Sequence, residues 1–141
     1  MVITDPIADI LVRIKNGGHA GKTVIYVPFS DMKLRLSNVL LKEGYVTSVV
    51  RKLKKGKRDL RLLEIGIAYD LPAQAGAPRV PRVRGMERVS RPSRRVYIGS
   101  SEIRPVLQGH GLMILSTPKG LLTDTEARKE HVGGEVICKI W

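Results

Sequence analysis

Thiols and long apolar segments are both scarce in this sequence. Cys138 is the single cysteine among 141 residues, so the chain can form neither an internal disulfide nor a metal site with two thiolates. No apolar run approaches the roughly 20 residues that a membrane helix needs, and the N-terminal "MVITDPIADI" lacks the cationic start of a signal peptide. The sequence therefore predicts a reduced, cytoplasmic protein with no membrane partner.

Catalytic and metal-binding patterns are missing as well. His19, His110 and His131 lie near glycines, without a second ligand at metal-binding spacing. The segment "GHGLMI" fails the dinucleotide-binding pattern, and Ser116 has no neighbouring base or nucleophile-elbow motif. We therefore expect no catalytic residue, no metal site and no cofactor.

Acidic residues are too few to balance the basic ones. Lys and Arg number 25 against 13 Asp and Glu, a net charge of +12, and many of the cations fall in two runs, 51–61 and 79–95. Such runs fit either a polyanionic partner, whose condensed counterions they displace, or a basic surface without one. Aromatic residues make up 4% of the chain, too few to stack many open bases, so among nucleic acids a structured RNA read by its shape is favoured.

Hydrophobic periodicity predicts five elements in the first 70 residues. A helix follows the cap Asp5 and ends at 16–18, and a second helix begins after Ser30 and stops at Gly44. The inward side chains of these two helices are expected to be Ile7, Ile10, Leu11 and Ile14, and Met32, Leu36, Val39 and Leu40. Strands are predicted over 22–29, 45–53 and 60–69, which gives the order helix–strand–helix–strand–strand.

The second half of the chain is rich in strand patterns. Strands are predicted over 86–92, 94–99, 112–116 and 134–141, and a capping box at Thr123 predicts a short helix closed by Gly133 and Gly134. The proline- and glycine-rich residues 72–84 are either a linker between two domains or a long surface loop within one. We predict a mixed α/β (α+β) fold with an N-terminal α/β domain, 1–71, and a mainly antiparallel, β-rich C-terminal domain, 85–141.

The segment Ser116-Thr117-Pro118-Lys119-Gly120 follows an aliphatic strand. Hydroxyls can meet bases, ribose or phosphate, a lysine adds a point charge, and glycine permits a close approach of the backbone. A helix starting after Thr123 would place its positive dipole end nearby. The segment is either an RNA-contacting loop or a polar turn, and Tyr97, after the arginine run, lies either at such a surface or at the edge of the core.

Three blocks of the sequence resemble one known family. "TDPIADILVRIKN", "RVSRPSRRVYIG" and "GLMILSTPKGLLTDTEARKEHVGGEVICKIW" are similar to the ribosomal protein S8 family of the bacterial small subunit. The resemblance implies a two-domain, non-enzymatic protein of the cytoplasmic ribosome that binds a helix of the 16S rRNA central domain and helps to assemble the platform. Its implied partners are 16S rRNA, neighbouring small-subunit proteins and, in some relatives, the protein's own messenger RNA.

The resemblance also implies two sets of RNA-binding residues. The main set, in the C-terminal half, comprises Ser90, Arg91, Arg94, Tyr97, Ser116, Thr117, Lys119, Gly120, Glu135 and Cys138. A second, weaker surface comprises Asp5, Arg13, Asn16 and Lys55. The chain departs from the family at Ser93, where glycine is usual, at His110, where an apolar residue is common, and over residues 72–84, so no role is carried over to Arg79, Arg82 or Arg84.

Three functions remain as hypotheses at this stage. The first is a structural rRNA-binding protein without catalysis. The second is a regulatory RNA-binding protein that acts off the ribosome, which co-sedimentation with small subunits would distinguish from the first. The third is an enzyme that uses Ser116–Gly120 as an anion cradle, although the pattern lacks a general base.

Overall fold

The computed structural model describes residues 5–72 and 74–141. Residues 1–4 of the predicted N-terminal domain and residue 73 of the predicted linker lie outside the described residues. Backbone contacts divide the chain into two compact units, the N-terminal unit Pro6–Val83 and the C-terminal unit Arg84–Trp141, to which Asp5 also belongs. The α-helices and strands are, in order, α1 (Pro6–His19), β1 (Val24–Pro28), α2 (Asp31–Lys42), β2 (Val46–Lys54), β3 (Leu60–Ile67), β4 (Tyr69–Asp70), β5 (Val80–Pro81), β6 (Met86–Arg88), β7 (Tyr97–Ile98), β8 (Leu112–Thr117), β9 (Gly120–Thr123), α3 (Asp124–Glu130) and β10 (Gly134–Ile140), and two short 3-10 helices, Ser100–Glu102 and Val106–Gly109, lie between β7 and β8.

The N-terminal unit contains a three-stranded antiparallel sheet in the order β1–β3–β2. Its core lies between this sheet and the two helices, with Leu63 and Ile65 of β3 fully buried beside Val27 of β1. The apolar stripe of α1 is buried as its helical spacing predicts, at Ile7, Ile10, Leu11 and Ile14. The predicted order helix–strand–helix–strand–strand and the mixed α/β class are confirmed.

Helix α1 is longer than predicted. It does not stop at residues 16–18 but continues to His19. A Cβ atom at Gly17 would lie 2.6 Å from a methyl group of Ile25, and one at Gly18 would lie 2.9 Å from Pro81. These glycines therefore allow the last turn of the helix to pack closely, rather than ending it.

Helix α2 begins at the predicted cap but buries a different face. The hydroxyl of Ser30 accepts a hydrogen bond from the backbone N–H of Lys33 at 3.1 Å. Met32 and Val39, predicted to point inward, are only half-buried. Lys33 and Ser37 are buried in their place, beside Leu36 and Leu40, so the apolar pattern alone gave the wrong edge of the buried stripe.

The buried lysine of α2 is compensated by polar partners. The Lys33 ammonium, whose residue is 3% exposed, donates to the Asp9 carboxylate at 3.0 Å and to the Pro28 carbonyl at 3.2 Å. Burial by itself would raise the pKa of Asp9, but hydrogen bonds from Lys33 and Arg13 outweigh it and lower that pKa below its ordinary value. The pair thus joins α1 to α2 inside the N-terminal unit.

Part of the predicted linker is folded into the N-terminal unit. Strand β5 pairs with β4, opposing Pro81 to Tyr69, and Val83 is buried. The Arg79 guanidinium lies 4.5 Å from the centre of the Tyr69 ring, a cation–π arrangement. Residues 80–83 are therefore not free chain, and the division into two independent domains remains a prediction.

The C-terminal unit is built on an antiparallel sheet. Its main path runs β6–β10–β8–β9, and the short strand β7 pairs with the start of β10. Helix α3 covers this sheet, and the resulting core contains Ile103, Val106, Met113, Leu115, Ala127 and Val136. Strand β10 is central because it pairs with β6, β7 and β8.

Several boundaries in the C-terminal unit differ from the predicted ones. Strand β9 was not predicted, and it makes Pro118-Lys119 the turn of a β8–β9 hairpin. The predicted strands over 86–92 and 94–99 are shorter because a turn closed by Arg91 and Arg94 lies between them. Helix α3 ends at Glu130, and His131 takes a left-handed φ of 55°, so Gly134 opens β10 instead of closing the helix.

Candidate nucleic-acid interface

Three of the predicted RNA-binding residues form a row across adjacent strands. Tyr97 of β7 opposes Glu135 of β10, and Glu135 in turn opposes Ser116 of β8. Directly opposed residues on neighbouring strands point to the same face of a sheet, so their side chains are neighbours. We call Tyr97, Glu135 and Ser116 the cross-strand row. Residues 19 to 38 positions apart in the chain are thereby brought together.

The cross-strand row presents one aromatic ring and one unused hydroxyl. Tyr97 is 71% exposed, which settles the open alternative in favour of the surface rather than the core edge. Ser116 is half-buried, and among the described residues its hydroxyl makes no hydrogen bond. A hydroxyl can both donate and accept, so Ser116 retains its full capacity for an external partner.

The hydroxyl of Thr117, by contrast, is used inside the turn. It donates to the Gly120 carbonyl at 2.8 Å and accepts from the backbone N–H of Lys119 at 3.2 Å. Gly120 has a φ of +107°, a conformation that side chains with a Cβ rarely adopt. Thr117 and Gly120 therefore shape the β8–β9 turn, and the two hydroxyls expected to act together have different roles.

The cation of the turn is also engaged. The Lys119 ammonium lies 2.8 Å from a carboxylate oxygen of Glu130 at the end of α3. The hydrogen bond and the charge of Lys119 lower the pKa of Glu130 below its ordinary value. The start of α3 is not beside this turn. The helix begins after Thr123, which lies three residues along β9 from Gly120, and three strand residues span roughly 10 Å. The expected helix dipole next to Lys119 is therefore wrong.

A second turn, residues 91–94, lies between β6 and β7. Arg91 and Arg94 exchange backbone hydrogen bonds of 2.8 and 3.0 Å, and both side chains are exposed. The fully buried Ser90 supports this turn, since its hydroxyl accepts from the Val96 N–H at 2.9 Å. Ser93 does not have a positive φ, so this turn does not require the glycine that is usual in the family at this position.

Glu135 is held by an arginine from the same segment. The Arg95 guanidinium donates to the Glu135 carboxylate at 3.2 Å, where the Glu135 side chain is 14% exposed and that of Arg95 is 49% exposed. This contact links the chain just before β7 to the centre of the cross-strand row. Arg95 was not among the predicted site residues, although its position two residues before Tyr97 could have suggested it.

Two glycines that were predicted only as a helix end let the three strands approach. A Cβ at Gly134 would overlap the backbone carbonyl oxygen of Ser116, and a Cβ at Gly133 would overlap that of Ile98. Both obstructing atoms belong to the backbone, which cannot rotate away as a side chain could. The cross-strand row therefore depends on glycine at these two positions.

Cys138 does not lie on the surface. Its side chain is completely buried in β10, and burial raises the pKa of the thiol to about 12. The Cys138 side chain is thus not available at this surface, and the place of Cys138 in the RNA-binding set remains a prediction from the resemblance. Cys138 supports the sheet beneath the surface, as does Ser90.

Comparison with known proteins assigns the chain to a family. The Ribosomal protein S8 family model matches residues 5–141. The chain is also 44% identical to small ribosomal subunit protein uS8 of Persephonella marina, over 99% of this chain and 100% of that protein. The corresponding protein of Thermus aquaticus is 45% identical over 99% of this chain, and that of Syntrophobacter fumaroxidans is 43% identical over 100% of it. Both matches cover the whole of the relative.

The chain belongs to the ribosomal protein S8 family. It is accordingly a structural constituent of the small ribosomal subunit in the cytoplasmic ribosome, and S8 family members bind rRNA and are not enzymes. In the part of the chain that the structure describes, no helix is long and apolar enough to cross a membrane. The same described residues contain no group of three or more His, Cys, Asp or Glu side chains that could hold a metal ion.

The residues predicted for the weaker surface of this S8 family member are dispersed. Asp5 forms an ion pair with Arg88 at 3.2 Å inside the C-terminal unit. Arg13 pairs with Asp9 at 3.0 Å, and Asn16 is exposed one helical turn further along α1. Lys55 lies at the exposed tip of the β2–β3 hairpin. Within the N-terminal unit, Arg13 and Asn16 share the solvent side of α1, while Lys55 belongs to a different element.

Proposed function

We propose that this S8 family member binds a helix of the 16S rRNA central domain and helps to assemble the platform of the small subunit. The observation that carries the proposal is the cross-strand row, in which an exposed tyrosine and a serine hydroxyl that makes no hydrogen bond among the described residues lie on either side of Glu135. A flat ring can stack on a base or ribose, and a free hydroxyl can bond a base edge or a 2′-hydroxyl.

The proposed contacts divide into those that select the RNA and those that attract it. Ser116 and Tyr97 select, because directed hydrogen bonds and stacking require a partner of the right shape. Arg91 and Arg94 attract, because their exposed guanidiniums lie on a turn beside the row and phosphates are the natural partners of such groups. The Glu135 carboxylate accepts from Arg95, and as the middle residue of the row it would also accept from base or ribose donors.

The remaining site residues fall into two supporting groups. Buried Ser90 and Cys138 and the turn residues Thr117 and Gly120 hold the surface in shape. In the N-terminal unit, Arg13 and Asn16 on α1 form the weaker surface, and Lys55 at the tip of the β2–β3 hairpin makes a separate contact with the rRNA backbone. We also propose that the chain forms two domains that join within residues 72–84, and that neighbouring small-subunit proteins contact the faces left free. The chain's own messenger RNA would bind the same row if it folds into the same shape.

Chemical footprinting of the full-length chain on its own 16S rRNA tests the proposal. We expect protection of a helix in the central domain, and we expect Tyr97→Ala to remove the protections nearest the row. Tyr26→Ala is the matched control, because Tyr26 is a 50% exposed tyrosine of the N-terminal unit. It should leave those protections in place. Protection outside the central domain, or equal effects of the two variants, would contradict the proposed site.

A further inference from the structure

We propose that Glu130 competes with RNA phosphate for the Lys119 ammonium, and so sets how strongly the β8–β9 turn attracts RNA. Glu130 lies outside the predicted site and outside the cross-strand row. The inference rests on the proposed function, because it treats the β8–β9 turn as part of the RNA interface.

The ion pair is placed where an incoming phosphate can replace one partner. Lys119 Nζ lies 2.8 Å from Glu130 Oε2, and the two side chains are 54% and 52% exposed. Neither group is buried, so water and an RNA phosphate can both reach the ammonium. A glutamate carboxylate is ordinarily ionised at neutral pH, and Lys119 lowers the pKa of Glu130 further. A phosphate approaching Lys119 therefore meets a fixed negative charge that already satisfies this cation.

The alternative role for the pair is to hold the turn in shape, and the geometry argues against it. The turn is closed by the Thr117 hydroxyl, which bonds both the Gly120 carbonyl and the Lys119 backbone N–H. Neither bond involves the Lys119 ammonium. Exposed ion pairs also add little to folding stability. The main effect of Glu130 is therefore on the charge that the turn presents.

The two units treat their cations differently. In the C-terminal unit, Lys119 of the β8–β9 turn and Arg95, which contacts Glu135 of the cross-strand row, are each paired with a carboxylate. At the tip of the β2–β3 hairpin, Lys54, Lys55 and Lys57 make no ion pair with any described residue. Carboxylates thus offset two cations of the C-terminal unit, Lys119 and Arg95, whereas the three lysines at the hairpin tip have no such offset among the described residues.

The test measures binding of the full-length chain to a central-domain fragment of 16S rRNA and to an unrelated RNA duplex over a range of salt concentrations. Glu130→Gln should bind both RNAs about two- to fivefold more tightly, and its slope of log affinity against log salt should steepen by up to about one unit. In a Lys119→Met background, Glu130→Gln should have no effect, because the cation it frees is absent.

Glu87→Gln is the matched control for net charge. Glu87 is exposed on β6 and opposes Lys139, which lies four residues along β10 from Glu135. Glu87→Gln therefore changes the net charge by as much as Glu130→Gln does, but at a distance from the row. At physiological salt its effect should be small, because screening acts within about 8 Å. Equal gains for Glu87→Gln and Glu130→Gln, or a gain that persists with Lys119→Met, would overturn the proposal.

Two further outcomes are decisive. Weaker RNA binding or a lower melting temperature for Glu130→Gln would assign the ion pair to the shape of the turn, and would overturn competition as its role. A wild-type chain that binds the two RNAs equally well would contradict the proposed function. Equal binding of the two RNAs would not test the competition for Lys119, because the variant with both Lys119→Met and Glu130→Gln measures that competition on either RNA.

Discussion

Replacing Ser116 with alanine removes one oxygen atom from the cross-strand row and leaves the strand backbone unchanged. Among the described residues this hydroxyl has no hydrogen-bond partner, so its loss should cost folding very little. A directed hydrogen bond to the cognate RNA is worth about 1–3 kcal/mol. The affinity for a central-domain fragment of 16S rRNA should therefore fall by about 5- to 150-fold.

The same substitution should weaken binding to an unrelated duplex much less, because that duplex lacks a group placed opposite Ser116. Equilibrium filter binding or calorimetry with both RNAs measures the difference, and thermal melting of each variant verifies the fold. Ser101→Ala, at an exposed serine outside the row, is the matched control. Equal losses on both RNAs would refute the reasoning, because the hydroxyl would then not be reading shape.

Three further predictions concern the support of the surface. Thr117→Val should lower the unfolding free energy by about 1 kcal/mol, measured by denaturant titration, because two turn hydrogen bonds are lost, while the preference for cognate RNA is retained. Gly134→Ala should destabilise the chain by about 1–3 kcal/mol, because the added Cβ would overlap the Ser116 carbonyl. Gly99→Ala is the control and should not destabilise the chain, because the space around Gly99 is open. An unchanged melting temperature for Gly134→Ala would show that the strands can separate without cost. The Cys138 thiol should resist alkylation at pH 8 until the chain unfolds. It should also lower stability between pH 9.0 and about 12, because the unfolded thiol ionises while the buried one stays protonated, and Cys138→Ala should make the fall in stability over this range shallower.

The helices were predictable because their side chains repeat with the helical period. The stripe of α1 from Ile7 to Ile14 and the cap Ser30 of α2 are local patterns, and the structure contains both. The mixed α/β class follows from the same patterns. Boundaries were less predictable, because a glycine ends a helix when its backbone leaves the helical conformation. Gly44 does so just after α2, with a φ of +82°, whereas Gly17 stays in α1 and packs against Ile25.

Elements that depend on distant partners were missed. Strand β9 has no strong alternating pattern and exists because β8 offers it a hydrogen-bonding edge. The buried Lys33 contradicts any rule based on hydropathy, since its burial depends on Asp9, 24 residues earlier in the chain. Position in the sequence does not reveal such a partner, because the fold alone sets the distance between the two groups.

The sequence by itself determined the excess of positive charge, the order of the first five elements and the membership of the S8 family. Each of these depends on composition, on local periodicity or on motif identity. Only the tertiary structure decided which polar groups near the proposed RNA surface are available. Ser116 and Thr117 are adjacent in the chain, yet the Ser116 hydroxyl has no hydrogen-bond partner among the described residues and the Thr117 hydroxyl closes a turn. Lys119, two residues further on, is paired with Glu130. The physical reason is that availability depends on which donors, acceptors and charges lie within hydrogen-bonding distance, and folding sets those distances.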